Sequence, residues 1–436
     1  MLKHYLNILK QKSVKRLAVN SIWLTADNAL RIFAGFFVGV WVARFLGPDN
    51  FGQWSYALSY VSIFAVLIGS SLNNVVVREL VKFPKKRNKI LGSSFVLKFS
   101  GAIIAFLLSV FSIYLFSHQA NSIKLMVLIV ASGTIFQSFE VINYWFESRV
   151  ESNYAVIARS IAFIVSNLLK IFFVLSHYSI VWFAVASAAE IFICAIAYLS
   201  VYKASKRKIL GWRFDKKVTK KIFLAGLPLI IAGILATVYS TADKILVGSF
   251  INDAALGNYS VGTMLTNSWS FIATAITISV YPSIIYTKLN SVHLYERRMK
   301  KLYSLMVIMA IFMSLPISVF SHQIIYFLYG PKYDSAAIVL SIYVWTAVPA
   351  FLDIAGQKWL FAENLQKYLP IKTLIGSTVS IVLNLIFIPK YGVVGAAFVA
   401  LLSISIATYF SNAFFKETRP LFRAQTLAII KPRILG

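Results

Sequence analysis

The stretch "RFLGPDNFGQWSYA", residues 44–57, has a weak copy 205 residues later in "SFINDAALGNYSVG", residues 249–262. The two stretches share a phenylalanine, a glycine and a serine at matching positions, and Trp54 matches Tyr259. Each stretch joins one long apolar run to the next, and each lies at the same point of its half of the chain. The sequence therefore predicts an internal repeat whose unit is about half of the protein.

The apolar runs on either side of these stretches are long enough to cross a membrane. Of the 436 residues, 59% are hydrophobic and only 13% are charged, which is typical of a polytopic helical membrane protein. A membrane helix needs roughly 20 apolar residues. The runs predict twelve spans, near residues 17–45, 51–77, 90–116, 122–146, 154–176, 179–202, 222–249, 255–287, 302–328, 333–362, 369–389 and 392–415.

The positive charge of the chain is distributed unevenly along these spans. The formal net charge is +28, which in a soluble protein would suggest nucleic acid as a partner. Of the 43 Lys and Arg residues, however, 34 lie at span ends on the side of the N-terminus and only four at the opposite ends. The positive-inside bias then predicts that both termini are cytoplasmic. We expect anionic membrane lipids as partners of this basic side, and no nucleic acid.

The twelve spans predict an all-α protein made of two six-helix bundles. The predicted divisions are a basic cytoplasmic N-terminus (1–16), an N-terminal bundle (17–202), a basic cytoplasmic linker (203–221), a C-terminal bundle (222–415) and a cytoplasmic tail (416–436). Because six is an even number, the repeats are parallel and related by an axis along the membrane normal. Such an architecture is typical of alternating-access transporters, in which the substrate lies between the bundles.

Charged residues inside the spans are the first candidates for function. A charge at the bilayer centre costs about 2.5–3.5 kcal/mol on insertion scales, so intramembrane charges usually mark a functional site. Asp27 and Arg31 are four residues apart, with the acid first, as in a favourable helical ion pair. Asn20 lies on the same helix face. A polar stripe over three turns is more than neutralisation requires, so we expect it to line the translocation cavity.

Three lysines are further candidates for contact with a substrate. Lys98 and Lys170 have no acidic partner on their own predicted helix. Lys98 is close enough to the cytoplasmic end to snorkel, whereas Lys170 is deeper and is expected either in the cavity or paired with Glu190. Lys244 follows Asp243 directly, so the two side chains point about 100° apart and only one of them can face the cavity.

The remaining candidates are acidic or neutral polar residues. The carboxylates of Asp27, Asp243, Asp353 and Glu190 are candidates for carrying a coupling proton or sodium ion. Tyr60 and Asn267 are candidates for lining the lumen of the protein, with a hydroxyl and an amide group. The single cysteine, Cys194, excludes disulfides and a thiolate metal site within the chain, and the five scattered histidines form no metal-ligand pair, so no metal or cofactor is expected.

The order of four motifs gives a family resemblance along nearly the whole chain. These motifs are "ARFLGPDNFGQWSYA" (43–57), "ADKILVGSFINDAALGNYSVG" (242–262), "YGPKYDSAAIVLSIYVW" (329–345) and "LNLIFIPKYGVVGAAFVA" (383–400). In this order they resemble bacterial polysaccharide (O-antigen) flippases of the Wzx type, in the superfamily of MATE exporters and lipid II flippases.

The resemblance implies a MATE-like fold and a flippase of the bacterial inner membrane, with no enzymatic activity. The implied cargo is a polyprenyl diphosphate-linked oligosaccharide for O-antigen, lipopolysaccharide or capsule. It moves from the cytoplasmic to the periplasmic leaflet, and the implied protein partners are a polysaccharide polymerase and chain-length proteins. Arg suits a diphosphate because its planar fork binds two oxygens, whereas Lys offers a point charge.

Two other classes of function compete with this interpretation. A cation or drug antiporter of the same superfamily would use the intramembrane carboxylates as proton or sodium sites. An enzyme such as a polymerase or glycosyltransferase would need a large extracytoplasmic loop, and the predicted external loops are short. The sequence also lacks a glycine-rich nucleotide loop of the Walker type.

Overall fold

The computed structural model describes the chain over residues 2–69, 72–116, 119–207, 209–267 and 269–431. The side chains of 2–26, 29, 116, 267, 270 and 282 lie outside the described residues. Two predicted site residues, Asn20 and Asn267, therefore fall outside what the structure describes.

All regular secondary structure in the described ranges is helical, as the apolar runs predict. The first seven helices are α1 (Leu2–Ala65), α2 (Asn73–Lys82), α3 (Arg87–Phe116), α4 (Asn121–Thr134), α5 (Val141–Ser148), α6 (Ser152–Leu175) and α7 (Ile180–Ala204). The next seven are α8 (Lys216–Phe250), α9 (Asp253–Asn267), α10 (Ser270–Asn290), α11 (Val292–Val319), α12 (Ser321–Tyr329), α13 (Asp334–Tyr343) and α14 (Ala347–Ala362). The last three are α15 (Tyr368–Ser405), α16 (Ser411–Phe414) and α17 (Arg419–Ile430).

Two of these helices are broken by a glycine with non-helical backbone. Helix α1 breaks at Gly47, where φ is 72°, and the following Pro48 has no backbone N–H to donate to the helix. Helix α15 breaks at Gly392, where φ is 60°. Both angles lie in the left-handed region that glycine tolerates without a Cβ clash.

Ten stretches of the described chain are long and apolar enough to cross a membrane. They are Leu30–Lys82, Pro84–Leu115, Asn121–Ser148, Ser152–Leu175, Ile180–Ala204, Lys216–Phe250, Asp253–Asn290, Val292–Val319, Pro331–Ala362 and Tyr368–Phe414. The first and last of these, with 53 and 47 residues, contain the two glycine breaks. Each is long enough to cross a membrane twice, so the two breaks favour the predicted count of twelve spans, which stays a prediction. The cytoplasmic location of both termini also stays a prediction.

The repeat is visible in the positions of the helices. Helices α3 and α11 begin at Arg87 and Val292, which is the same separation of 205 residues as in the sequence. Each half also interrupts a membrane stretch with a 3₁₀ segment, at Ile135–Glu140 and at Val344–Thr346. The shift of 205 maps the first segment onto residues 340–345, which overlap the second.

The chain forms two compact units. The first, unit N, comprises Met1–Val42 and Ala57–Ile234, and the second, unit C, comprises Ala43–Tyr56 and Leu235–Gly436. Residues 43–56 therefore pack with the second half of the chain, although they belong to the first half by sequence. The division into bundles that end at residue 202 and begin at residue 222 stays a prediction.

Within unit C, the two repeat stretches contact each other through their glycines. A Cβ at Gly52 would lie 1.8 Å from the carbonyl oxygen of Asp253, and one at Gly257 would lie 2.0 Å from the carbonyl oxygen of Pro48. The hydroxyl of Tyr333 also donates a hydrogen bond of 2.7 Å to the carbonyl oxygen of Ala43. Helix backbones can approach this closely only where a residue has no side chain.

Within unit N, the end of the basic loop is docked on the start of α3. We call residues 209–215 the docked loop. The backbone N–H of Arg213 donates to the carbonyl of Asn88 at 3.1 Å, and that of Asp215 donates to the hydroxyl of Ser93 at 3.0 Å. The ammonium of Lys89 donates to the carboxylate of Asp215 at 2.9 Å. The predicted linker is therefore held at its C-terminal end.

Candidate functional site

The main candidate site is an ionic cluster on α1, α6 and α7 of unit N. Helix α7 is apolar from Ile180 to Tyr202 except for Glu190 and small polar residues. Helix α6 carries Arg159 and Lys170, which are eleven residues apart and therefore lie on one face of the helix. Helix α1 contributes Asp27 and Arg31. We call these five residues the ionic cluster.

Asp27 is the fixed centre of the cluster. It is 3% exposed and lies 3.2 Å from Nε of Arg31 and 3.1 Å from Nη2 of Arg159. The hydroxyl of Ser160 donates a further hydrogen bond to it at 3.0 Å. A buried carboxylate is stable only when it is paired and hydrogen-bonded, and Asp27 meets both conditions. It therefore positions two arginines from different helices.

Arg31 connects the carboxylate of Asp27 to that of Glu190. Its Nη2 donates to the backbone carbonyl of Arg159 at 2.6 Å, and its guanidinium lies 5.0 Å from the centre of the Phe163 ring. Its Nη1 is 3.6 Å from Glu190, and Nζ of Lys170 is 3.8 Å from the other oxygen of Glu190. Charge-assisted hydrogen bonds usually measure about 2.7–2.9 Å. Both contacts of Glu190 are therefore loose, whereas the contacts of Asp27 are closer.

A cavity of about 260 Å³ opens beside this cluster. Arg31, Arg159 and Glu190 line one part of its wall, and a second part is formed by the 3₁₀ segment that ends at Glu140. Phe136 and Gln137 belong to this segment, and the remaining lining residues are Ala162, Ile191, Cys194, Ala195 and Tyr198. The cavity combines cations with amide, hydroxyl and aromatic groups, which are the groups that can bind an anionic headgroup and a sugar.

Lys98 lies behind this wall. It is 1% exposed, and its ammonium donates to Glu140 at 2.7 Å and to the hydroxyl of Tyr144 at 2.8 Å. It does not snorkel to a helix end, because a carboxylate and a phenol already solvate it in the interior. Its contact with a substrate remains a prediction, and the observed effect of Lys98 is to hold Glu140 at the cavity wall.

The other predicted residues of unit N and unit C have defined partners. Tyr60 donates to the hydroxyl of Ser112 at 2.7 Å and so links α1 to α3. In unit C, the buried carboxylate of Asp243 accepts hydrogen bonds from the hydroxyl of Tyr259 and from the backbone N–H of Lys244. The Lys244 side chain is half-buried. None of these residues lines the cavity of the ionic cluster.

Asp353 belongs to an ion pair in unit C whose cation, Lys372, is buried. Its carboxylate lies 3.1 Å from the ammonium of Lys372 and accepts a hydrogen bond of 2.8 Å from Gln357. Lys372 is 5% exposed and also donates to the carbonyl of Thr408 at 3.2 Å. The structure thus brings Asp27, Arg31, Lys170 and Glu190 together within unit N, and Asp353 belongs to unit C.

Sequence reasoning missed three participants in these clusters. Arg159, Lys372 and Glu140 were not among the predicted site residues, and the pairing of Glu140 with Lys98 was not predicted. Arg159 lies two turns inside α6, which begins at Ser152, and the sequence alone does not fix that start. Nothing in the local sequence marks Lys372 or Glu140, since their partners lie on other helices.

Solved structures of membrane transporters share this fold. The structure of a lipid II flippase, MurJ, in an inward closed conformation matches 95% of this chain and 91% of that chain with a TM-score of 0.72 and 15% identity. An inward-facing multidrug resistance transporter of the MATE family matches 93% and 95% with a TM-score of 0.68 and 13% identity. The likeness shows a shared fold, and the MATE-like architecture expected from the sequence is confirmed at that level.

Family membership follows from the sequence itself. The family described as "Polysaccharide biosynthesis protein" matches residues 17–288, and the MatE family matches residues 228–386. The first match covers more than half of the chain, so this protein belongs to the polysaccharide biosynthesis protein family.

Three archaeal proteins show similarity in sequence. An uncharacterized membrane protein of Methanocaldococcus jannaschii is 23% identical over 94% of this chain and 85% of its own length. The probable flippase AglR of Haloferax volcanii is 31% identical over 39% of this chain and 36% of its own length. The probable low-salt glycan biosynthesis flippase Agl15 of the same organism is 23% identical over 41% and 38%.

Proposed function

We propose that this protein is a flippase that moves a lipid-linked glycan with an anionic phosphate or diphosphate headgroup across a membrane. The observation that carries the proposal is the ionic cluster, in which three cations share two carboxylates beside a cavity. The family, and the relatives that are named as flippases, support the same class of cargo.

The unequal distances in the cluster suggest how the headgroup is bound. Asp27 is buried and holds Arg31 and Arg159 closely, so it stays in place as a structural anion. Glu190 is partly exposed and lies 3.6 Å and 3.8 Å from its two cations. A diphosphate can replace Glu190 as the partner of Arg31 and Lys170, because it offers more oxygens at hydrogen-bond distance. The cluster then binds the headgroup by exchanging one anion for another, and Glu190 returns when the headgroup leaves.

The size of the cavity limits what it holds. Ligand pockets usually measure about 300–1,000 Å³, so a cavity of about 260 Å³ accommodates a headgroup or one sugar. The lipid tail and the remaining sugars lie outside it in this proposal. For the cargo itself we keep what the motifs imply, namely polyprenyl diphosphate-linked repeat units for O-antigen or capsule. The protein would flip them outward by alternating access in a bacterial inner membrane. Its protein partners would be a polymerase and chain-length proteins.

One observation favours a second candidate, a proton- or sodium-coupled antiporter of the MATE kind. The MatE family matches residues 228–386, and this region contains Asp243, a buried carboxylate whose described partners are neutral donors. Such a carboxylate can take up a proton or a sodium ion. In that case drug sensitivity, and not glycan export, would depend on the protein.

The test is complementation of a gene deletion, with leaflet-specific labelling of lipid-linked glycan. We expect the deletion to accumulate glycan in the cytoplasmic leaflet. Arg31→Ala, Arg159→Ala and Lys170→Ala should each fail to restore export at normal membrane levels. Arg31→Lys should restore it only partly, because Lys lacks the fork. Arg78→Ala is the control, since this exposed arginine on α2 lies outside the cavity.

Normal export by the Arg31→Ala variant would refute the cargo role of the cluster. Unchanged glycan distribution in the deletion strain, together with raised drug sensitivity, would refute the flippase proposal and favour the antiporter. Loss of the Arg31→Ala protein from the membrane would assign Arg31 to folding instead, and Lys170→Ala then decides whether the cluster binds cargo.

A further inference from the structure

A second charged cavity lies in unit C, in a groove between the start of α11 and the C-terminal helix α17. Its volume is about 430 Å³. Helix α11 packs against α17, and both helices contribute residues to one apolar core. The groove is lined by two stripes of residues, one from each helix, and the stripes differ in character.

The stripe on α11 is cationic. Its residues recur at intervals of three and four and therefore occupy one helix face: His293, Glu296, Arg297, Lys300, Lys301 and Ser304. The charged residues of this stripe come directly before the apolar run of α11, which begins at Leu302 and continues to Val319. It therefore lies at the end of a membrane span, on the side that the charge bias predicts to be cytoplasmic.

The stripe on α17 is mainly apolar. Leu427 is its exposed residue, whereas Ala424 is partly buried and Ala428 is buried in the core, and Lys431 lies one turn further on. The helix is held in place by Gln425, which is fully buried, donates to the carbonyl of Leu352 at 3.1 Å and accepts from the amide of Asn412 at 3.0 Å. Because the other face of α17 is fixed in this way, Leu427 is half-exposed at the groove rather than part of the core.

The cations of the groove have no ion-pair partner among the described residues. Arg297, Lys300, Lys301 and Lys431 occur in none of the salt bridges found there. In contrast, Lys288 in the adjoining cavity of about 560 Å³ is 2.9 Å from Glu363. Glu296 is the one carboxylate that lines the groove. The groove therefore has an excess of positive charge that attracts an anion.

We propose that this groove binds an anionic phospholipid, with the phosphate on the α11 stripe and an acyl chain along the α17 stripe. Basic pockets beside membrane helices at the cytoplasmic side suit lipid headgroups, and an amphipathic helix at the interface suits the acyl region. A volume of about 430 Å³ is within the range of a specific ligand pocket. The bound lipid neutralises like charges on α11 and so stabilises the packing of α11 on α17.

The apolar stripe distinguishes a phospholipid from a free phosphate ion. An inorganic phosphate would obtain its binding free energy from the cations alone and would leave Leu427 exposed to water. A phospholipid gains from both stripes, because burying apolar surface contributes roughly 25 cal/mol per Å². The two ligands should therefore respond differently to a change at Leu427.

The test uses the full-length protein in neutral detergent, delipidated and titrated with phosphatidylglycerol or phosphatidylcholine and followed by native mass spectrometry. We expect at least a tenfold preference for phosphatidylglycerol. The triple variant Arg297→Gln, Lys300→Gln, Lys301→Gln should lower the affinity for phosphatidylglycerol at least tenfold. The matched control, Lys216→Gln, Lys217→Gln, Lys220→Gln, removes the same charge from exposed positions of α8 and should change it less than twofold.

Two further measurements separate the possible ligands. Leu427→Gln should weaken phosphatidylglycerol binding severalfold and leave inorganic phosphate binding unchanged. If the triple variant of α11 and the triple control of α8 lose the same affinity for phosphatidylglycerol, the proposal is overturned in favour of diffuse electrostatic attraction to the protein surface. Full competition by millimolar inorganic phosphate, with no effect of Leu427→Gln, would overturn it in favour of a phosphate site. If the triple variant does not fold, the response to Leu427→Gln decides between these outcomes.

Discussion

Replacing Gly52 by alanine tests the contact between the two repeat stretches. The added Cβ would lie 1.8 Å from the carbonyl oxygen of Asp253 and 2.7 Å from the carbonyl carbon. Real Cβ atoms essentially never come within 3.0 Å of such atoms, so α1 and α9 would have to separate by more than 1 Å. Forced overpacking of this kind typically costs about 1–3 kcal/mol. The partner is backbone and not the end of a flexible side chain, so we expect the upper part of that range.

Gly35 supplies the matched control on the same helix. Its added Cβ would lie 3.6 Å from the nearest atom, in the ring of Phe163, which is an ordinary contact. Alanine there removes backbone freedom from the unfolded chain and should stabilise the helix by up to about 1 kcal/mol.

Thermal unfolding in detergent measures both changes. Gly52→Ala should lower the midpoint and Gly35→Ala should leave it equal or raise it, and Gly257→Ala should behave like Gly52→Ala because it meets Pro48 in the same way. If Gly52→Ala is as stable as Gly35→Ala, the close approach of the two repeat stretches is wrong.

Three further predictions concern the charged clusters and the driving force. Glu190→Gln should raise the affinity for a diphosphate lipid and slow its release, because it frees two cations; an unchanged affinity in a binding titration would contradict the exchange of anions. Lys372→Met should destabilise the protein by less than the about 3–5 kcal/mol of a fully buried pair, because it leaves the partly exposed carboxylate of Asp353 without its cation, and addition of Asp353→Leu should recover most of that loss in the same unfolding assay. Outward movement of two negative charges releases roughly 4–5 kcal/mol at 100 mV, so export from proteoliposomes should follow the membrane potential without a pH or sodium gradient; dependence on such a gradient would shift attention to Asp27 and Asp243.

The fold was accessible from the sequence because its main determinant is local. Long apolar runs predict helices wherever they occur, and the matching turns at 44–57 and 249–262 predict the repeat. The sequence did not predict that residues 43–56 pack with unit C, because this packing depends on contacts between distant segments. Only the missing side chains of Gly52 and Gly257 allow the backbones to meet, and a glycine pair in sequence does not reveal its contact.

The candidate site was accessible in part. The pair Asp27 and Arg31 follows from helix periodicity alone, and Glu190 was the only acid expected near Lys170. Arg159 could not be assigned without the start of α6, since a charge two turns from a predicted end suits a loop as well as a core. The balance of the cluster, three cations on two carboxylates, depends on which helices are neighbours, and periodicity within one helix contains no such information.

The docked loop changes how the basic linker should behave towards proteases. Residues 203–221 contain nine Lys and Arg and would be expected to be cut first by trypsin. Cleavage after Arg213 requires an extended segment, and that segment is bonded to α3 at Asn88 and Ser93. The hydrogen bond from Lys89 lowers the pKa of the Asp215 carboxyl, so this additional ion pair is intact above about pH 4, the ordinary range of aspartate, and is lost as the pH falls below it. The rate of tryptic cleavage at Arg213 near neutral pH therefore reports on how often the loop leaves α3, and a nicked chain should retain its assembly because the bonds on either side of the cut persist.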